Sequence, residues 1–387
     1  MTDFDLVVLG MGGIGSGAAY WASRRLGSGV AGLEQYEFGH ARGGSEDHSR
    51  IIRLSYHTPG YVELAKDAYQ AWETLETESR EQVVLRTGGL DLAPEDATIG
   101  LDDYRTAMSA VGVGFEELDA AEVMSRWPQW RLPESVTALY QEESGIAMAS
   151  KANAAHRRMA AENGAVLMQT DAVASLVESG GEVIIETGNG RVTAAKAVIA
   201  AGAWTNHLTS GLGVTFPLEV TQEQVVYLDP RTPEAFRPEV FPVWIWMTEP
   251  SFYGFPVFGE PAVKVAWDRC EVVTTPETRS FDPRDDVIEA VNGFVSIHLP
   301  GAAGDVHLSK TCLYTLTPDR DFIVDRLPGT ESVFVVVGAG HAFKFASLLG
   351  RIVVDLALEG ETGFDISPFS ATRAILTEKD PRRSYMV

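Results

Sequence analysis

The sequence predicts an α/β chain with an α+β second domain, and three observations carry that prediction. Strand, glycine turn and apolar helix follow one another at the N-terminus and return near the C-terminus in "SVFVVVGAGHAFKFASLLGRIVVDLAL" (332–358). A third strand running into a glycine turn, "RVTAAKAVIAAGAW" (191–204), lies in mid-chain. Between them stand aromatic-rich runs of alternating polarity, the pattern of an antiparallel sheet. Because the two patterns alternate along the chain, each domain is expected to be built from separate segments: 1–85, 145–215 and 318–387 in one, 86–144 and 216–317 in the other.

Taken in order, "FDLVVLG" (4–10) is an apolar run of strand length, "GIGSGAAYWASRRLG" (13–27) carries helical spacing, and "VAGLE" (30–34) completes a βαβ unit. In "YVELAKDAYQAWETLE" (61–76), Val62, Ala65, Tyr69 and Trp72 share one side of a helix. Leu64, Ala68, Ala71 and Leu75 lie beside them, which gives a broad buried face. From Val83 to Ala149 the pattern changes to short strands around "LDDYRTAMSAVG". "SKANAAHRRMAAENGA" (150–165) reads as a helix with Ser150 as its N-cap. Beyond Phe216, "PLEVTQEQVVYLDP", "VWIWM", "FYGFPVF" and "AVKVAW" read as strands of the antiparallel sheet.

The first turn, Gly10-Met11-Gly12-Gly13-Ile14-Gly15, matches G-x-G-x-x-G between a strand and a helix. The first glycine permits the tight turn, the second lets a pyrophosphate reach the backbone, and the third lets helix and strand pack closely. Glu34 follows about 20 residues on, where a carboxylate accepts ribose hydroxyls and repels a 2′-phosphate, which disfavours NADP. An NAD dehydrogenase usually keeps its nucleotide domain contiguous. Here Ala201, Gly202 and Trp204 sit at the second junction, and Gly338, Gly340, His341, Phe343 and Lys344 at the third. Three junctions suit a longer cofactor, so FAD is expected, and a helix dipole aimed at its ring would stabilise the anionic reduced form. The fold class is therefore a Rossmann-type FAD-binding domain with an interleaved antiparallel-sheet substrate domain.

Composition limits the alternatives. With 387 residues, 45% of them hydrophobic, the chain can bury a sizeable core in more than one domain. Its two cysteines exclude a disulfide framework, and no Cys/His spacing suggests a metal site. "MTDFDLVVLG" has neither a basic region nor a long apolar stretch, so no signal peptide or transmembrane helix is expected, and the expected location is cytoplasmic. A net charge of −23 opposes nucleic acid and anionic membranes as partners. The expected partners are a small amino acid derivative and oxygen, and the expected assembly is a monomer or weak homo-oligomer.

Several charges stand in apolar surroundings. "SRIIR" spaces Arg50 and Arg53 three apart between isoleucines, and Lys264 and Lys344 lie in "AVKVAW" and "HAFKFAS". Buried cations need partners, either structural acids or an anionic ligand. Cys312, in "HLSKTCLYTLTPDRDFIVD" (307–325), reads by itself as a small apolar strand residue, as does Cys270.

The segments "VVLGMGGIGSGAAYW", "SRIIRLSY", "YGFP" followed by "VK", "TCLYT" followed by "DFIVD", and "GHAFKFAS" give the chain, along nearly its whole length, a resemblance to the monomeric sarcosine oxidase and N-methyltryptophan oxidase family of FAD amine oxidases. The resemblance implies that Cys312 is bonded through sulfur to the flavin 8α-methyl group and that Arg50 lies against the flavin ring. It also implies that Arg53 and Lys344 clamp the substrate carboxylate and that Lys264 promotes reaction with oxygen. Tyr253 and Tyr314 match aromatic residues near the substrate.

The chain departs from that family where sarcosine oxidases carry histidines: Ser45-Glu46-Asp47-His48 precedes Arg50, and Asp268 follows Lys264 by four. Asp268 resembles the fructosyl amino acid oxidases, which carry an acid at that place. By residue type alone it is either a surface charge at a strand end or an acceptor for sugar hydroxyls. The resulting expectation is an oxidase of N-substituted amino acids that forms an imine and hydrogen peroxide, with fructosyl amino acids favoured. An N-methyl amino acid oxidase and a flavin dehydrogenase serving a protein partner are the alternatives.

Overall fold

The computed structural model describes residues 2–378 apart from 99, 250 and 269–271, together with 381. Cys270 lies outside the described residues. Strand Phe4–Leu9 is flanked in parallel by Val30–Leu33 and Gly190–Ile199. Val166–Met168 extends one edge and Val333–Val337 the other. Leu6 to Leu9 are all buried, as a parallel strand covered on both faces requires. Alternate residues separate cleanly. Leu6 and Val8 pack with Ala18, Ala152 and Val353 of helices Gly13–Leu26, Ala149–Glu162 and Ala346–Glu359. Val7 and Leu9 cluster with Val183 and Ile185 of strand Glu182–Thr187, which pairs antiparallel with Gly190–Ile199 in the same sheet.

The predicted helix over 61–76 is observed at Pro59–Ser79, with Thr58 as N-cap and proline at its start. The expected cap at Ser150 differs. The helix begins at Ala149, and the Ser150 hydroxyl instead donates to the Asp47 carbonyl at 2.8 Å, which ties down the loop before Arg50.

The second sheet centres on Glu219–Leu228, paired with Val306–Leu316 on one side and Val263–Asp268 on the other. Ser251–Phe255 and Val243–Trp246 continue it. Its back carries Trp244, Val263 and Val265 against Val291, Phe294 and Val295 of helix Asp285–His298, an element the sequence patterns had not suggested.

The front face follows from register. Glu223 opposes Cys312, Thr221 opposes Tyr314, Tyr227 opposes Lys264, Lys264 opposes Phe255, and Ala266 opposes Tyr253. Opposed residues share a face, as do positions two apart along a strand. Cys312, Tyr314, Tyr227, Lys264, Asp268 and Tyr253 therefore all stand on one side. A small third sheet of Arg50–Ile52, Gly145–Ala147 and Val84–Arg86 carries Arg50 up to that face.

Candidate active site

The glycine turn has the close contacts its sequence predicts. Gly10 has φ +94°, and a Cβ on Gly15 would stand 1.8 Å from the Gly10 carbonyl oxygen, so only glycine lets strand and helix meet. A Cβ on Gly12 would meet Ser45 Oγ at 2.8 Å, and one on Gly13 would meet Phe343 at 3.1 Å. Glu34 is buried and accepts the Met11 amide at 3.0 Å and the Tyr36 amide at 3.1 Å, with His40 Nε2 at 3.3 Å. Burial pushes its carboxyl up, but the bonds from His40 and Met11 outweigh this and hold it below its ordinary value. Arg157, which sequence patterns did not single out, reaches to 3.4 Å from the Met11 carbonyl and adds a cation beside the turn.

At the sheet face, Lys264 meets the structural acid that a buried cation needs. Its ammonium has three acceptors: Asp47 Oδ2 at 2.5 Å, Ser49 O at 2.9 Å and Ser49 Oγ at 3.3 Å. The Phe255 ring centroid is 4.7 Å away. Burial brings the lysine down to about 8, with Asp47 resisting the fall. Asp47 accepts the Tyr227 hydroxyl at 2.8 Å and lies 3.4 Å from Arg50. Against its own burial, Lys264 and Arg50 hold the Asp47 carboxyl far below the usual range. Arg50 also donates to the Ser49 and Gly44 carbonyls, which fixes its plane beside Cys312. Burial pushes the Cys312 thiol up, and Arg50 opposes it.

Arg53 is buried and bonded to Asp91 at 3.0 Å, and its guanidinium carbon lies 4.9 Å from the Tyr56 ring centroid. This is the structural ion pair that its burial demanded, although the residue still borders the cavity. Lys344 donates to the His341 carbonyl at 3.2 Å; burial and then Arg53 bring it down to about 7, with Asp268 opposing them. The hydroxyls of Tyr253 and Tyr314 are 3.5 Å apart, and both are pushed up by burial. Asp268 is half-buried on the cavity wall rather than on the outer surface.

One cavity of about 410 Å³ serves both ends. It runs from Gly12 and Glu34 past Ala201, Gly202 and Trp204 to Tyr253, Asp268, Tyr314 and Lys344, with Gly338, Gly340, His341 and Phe343 along its wall. The glycine cradle and the buried Glu34 fit the dinucleotide portion of FAD, and the cavity carries on from them to the polar sheet face. Among the described residues, no cluster of metal-ligating side chains occurs and no helix is long and apolar enough to cross a membrane.

A dinucleotide turn opening into a sheet face crowded with cations is the layout of a flavin-dependent oxidoreductase. The family model described as FAD dependent oxidoreductase matches residues 5–356, and the chain belongs to that family. It is 35% identical over 379 residues to a monomeric sarcosine oxidase of Streptomyces avermitilis, covering 96% of this chain and 97% of the relative. It is 31% identical over 378 residues to an N-methyl-L-tryptophan oxidase of Salmonella typhimurium, covering 96% and 99%. The solved structure of NikD, described as an unusual amino acid oxidase essential for nikkomycin biosynthesis, superposes with TM-score 0.84 at 26% identity, covering 96% of this chain and 98% of that one. The protein is thus an FAD-dependent amine oxidase of the sarcosine and N-methyl amino acid oxidase type.

Proposed function

We propose that the protein oxidises the C–N bond of fructosyl amino acids, releasing hydrogen peroxide and an imine that water hydrolyses. The observation that carries this reading is Asp268, a carboxylate on the cavity wall on the same sheet face as Tyr253 and Tyr314. A carboxylate there accepts hydrogen bonds from several sugar hydroxyls, whereas a methyl group offers none. Lys344 and Arg53 supply positive charge for the α-carboxylate. FAD, when bound, accepts the hydride and delivers the electrons to oxygen. The glycine turn and Glu34 would hold its nucleotide end, and Cys312 would anchor its ring through sulfur. Arg50 and Lys264 disfavour a second cation nearby, which keeps the substrate amine neutral and able to release hydride. The Lys264 ammonium also stabilises negative charge as it develops on oxygen.

The names of the relatives support a second reading, an N-methyl amino acid oxidase. Peroxide release from fructosyl-glycine, fructosyl-valine, sarcosine and N-methyltryptophan separates the two. A higher kcat/KM for the fructosyl compounds is expected, and a better rate with sarcosine or N-methyltryptophan would leave the second reading standing.

A further inference from the structure

Arg320 is only 4% exposed, yet its Nε and Nη1 have no hydrogen-bond partner. It lies just beyond strand Val306–Leu316, in a turn where its φ of +66° is a conformation that non-glycine residues seldom adopt. Its carbonyl accepts His341 Nε2 at 2.9 Å, which pins the turn against the C-terminal glycine loop. The residue borders the same cavity as Lys344 and Asp268, and its charge acts on Lys344 and His341.

The acids on either side of it in the chain are engaged elsewhere: Asp319 holds Arg373 at 2.6 Å, and Asp321 accepts the Tyr61 hydroxyl at 2.8 Å. A buried guanidinium left without an anion is strongly unfavourable, so a partner that arrives with the ligand accounts for what the protein itself does not supply. The planar guanidinium offers a two-pronged match to a carboxylate or a phosphate, and an amino acid derivative brings the carboxylate.

We propose that Arg320, which no family motif assigns, joins Lys344 in gripping the carboxylate of the substrate. Arg53, held by Asp91, borders the same cavity and adds its charge to the clamp. This rests on the reading of the substrate as an amino acid derivative and names the residue that recognises it.

The test uses the flavin-loaded enzyme and two unreactive probes, methylthioacetate and methylthioacetamide, with binding read from the flavin absorbance. The wild type should prefer the acid. Arg320→Gln should weaken the acid by about 30-fold or more and leave the amide unchanged, as expected for one buried charge-assisted contact. Arg320→Lys, which keeps the charge but loses the fork, should fall between them. If Arg320→Gln does not take up flavin, the lysine variant carries the test, and a partial weakening of the acid with the amide unchanged is the expected result. Unchanged acid binding in a loaded variant overturns the role of Arg320. Equal binding of acid and amide by the wild type overturns the amino acid reading itself.

Discussion

Asp47 places a carboxylate oxygen 2.5 Å from the Lys264 ammonium, with both side chains buried and 217 positions apart in the chain. The pair fixes where the ammonium sits and favours its charged form against burial. If Lys264 serves the oxygen step, the active form is the protonated one. Reoxidation of the reduced enzyme should therefore slow as pH rises through about 8. Asp47→Asn removes the group that holds the lysine up, so the same decline should begin at lower pH. Lys264→Met should slow reoxidation by roughly 3 kcal/mol or more, about a hundredfold, with a much smaller effect on anaerobic reduction. Rapid mixing of the reduced protein with oxygen across a pH series checks all three, and equal slowing of both half-reactions would assign Lys264 to substrate binding or folding.

Cys312 shares the front face of the sheet with Lys264 and lies within the field of Arg50. The full-length band on a denaturing gel should fluoresce yellow-green, and Cys312→Ser should abolish that signal. Flavin released from a fully loaded wild type on denaturation would remove the covalent anchor.

Asp268→Ala should lower kcat/KM for fructosyl-glycine far more than for sarcosine, because a site that hydrogen-bonds hydroxyls discriminates by that contact. The ratio of the two constants is the measurement. A ratio that does not move would take Asp268 out of sugar recognition.

The Arg53–Asp91 pair is buried on both sides, so Asp91→Ala leaves a charge with no partner and should cost about 3–5 kcal/mol of stability. Replacing both, as Arg53→Met with Asp91→Leu, should recover most of that in a denaturant titration while leaving the site without its arginine. If Asp91→Ala matches the wild type in that titration, the pair contributes nothing to the fold.

What the sequence disclosed was local. The turn from Gly10 to Gly15 and the helix Pro59–Ser79 follow from spacing within a few residues. The family motifs pointed to Cys312, Lys264 and Asp268, residues that the fold brings onto one sheet face. Partnerships were hidden, because no period or motif links Asp47 to Lys264 or Asp91 to Arg53 across a fold. Arg320 escaped notice because its significance is a missing neighbour, which only packed coordinates reveal. Ser150 looked like a cap by type, but the carbonyl of Asp47 was the nearer claim on its hydroxyl.

Strand Phe4–Leu9 takes one neighbour from Gly190–Ile199, and that strand in turn takes Val333–Val337. At a synthesis rate of ~5–20 residues per second, the earliest strand waits roughly 10–40 s with one edge open before its mid-chain neighbour leaves the ribosome. For that interval an apolar ribbon is available to chaperones or to other nascent chains. The nucleotide cradle, whose wall includes Phe343, closes only after almost the whole chain has been made, so cofactor loading belongs to the finished polypeptide and not to its synthesis.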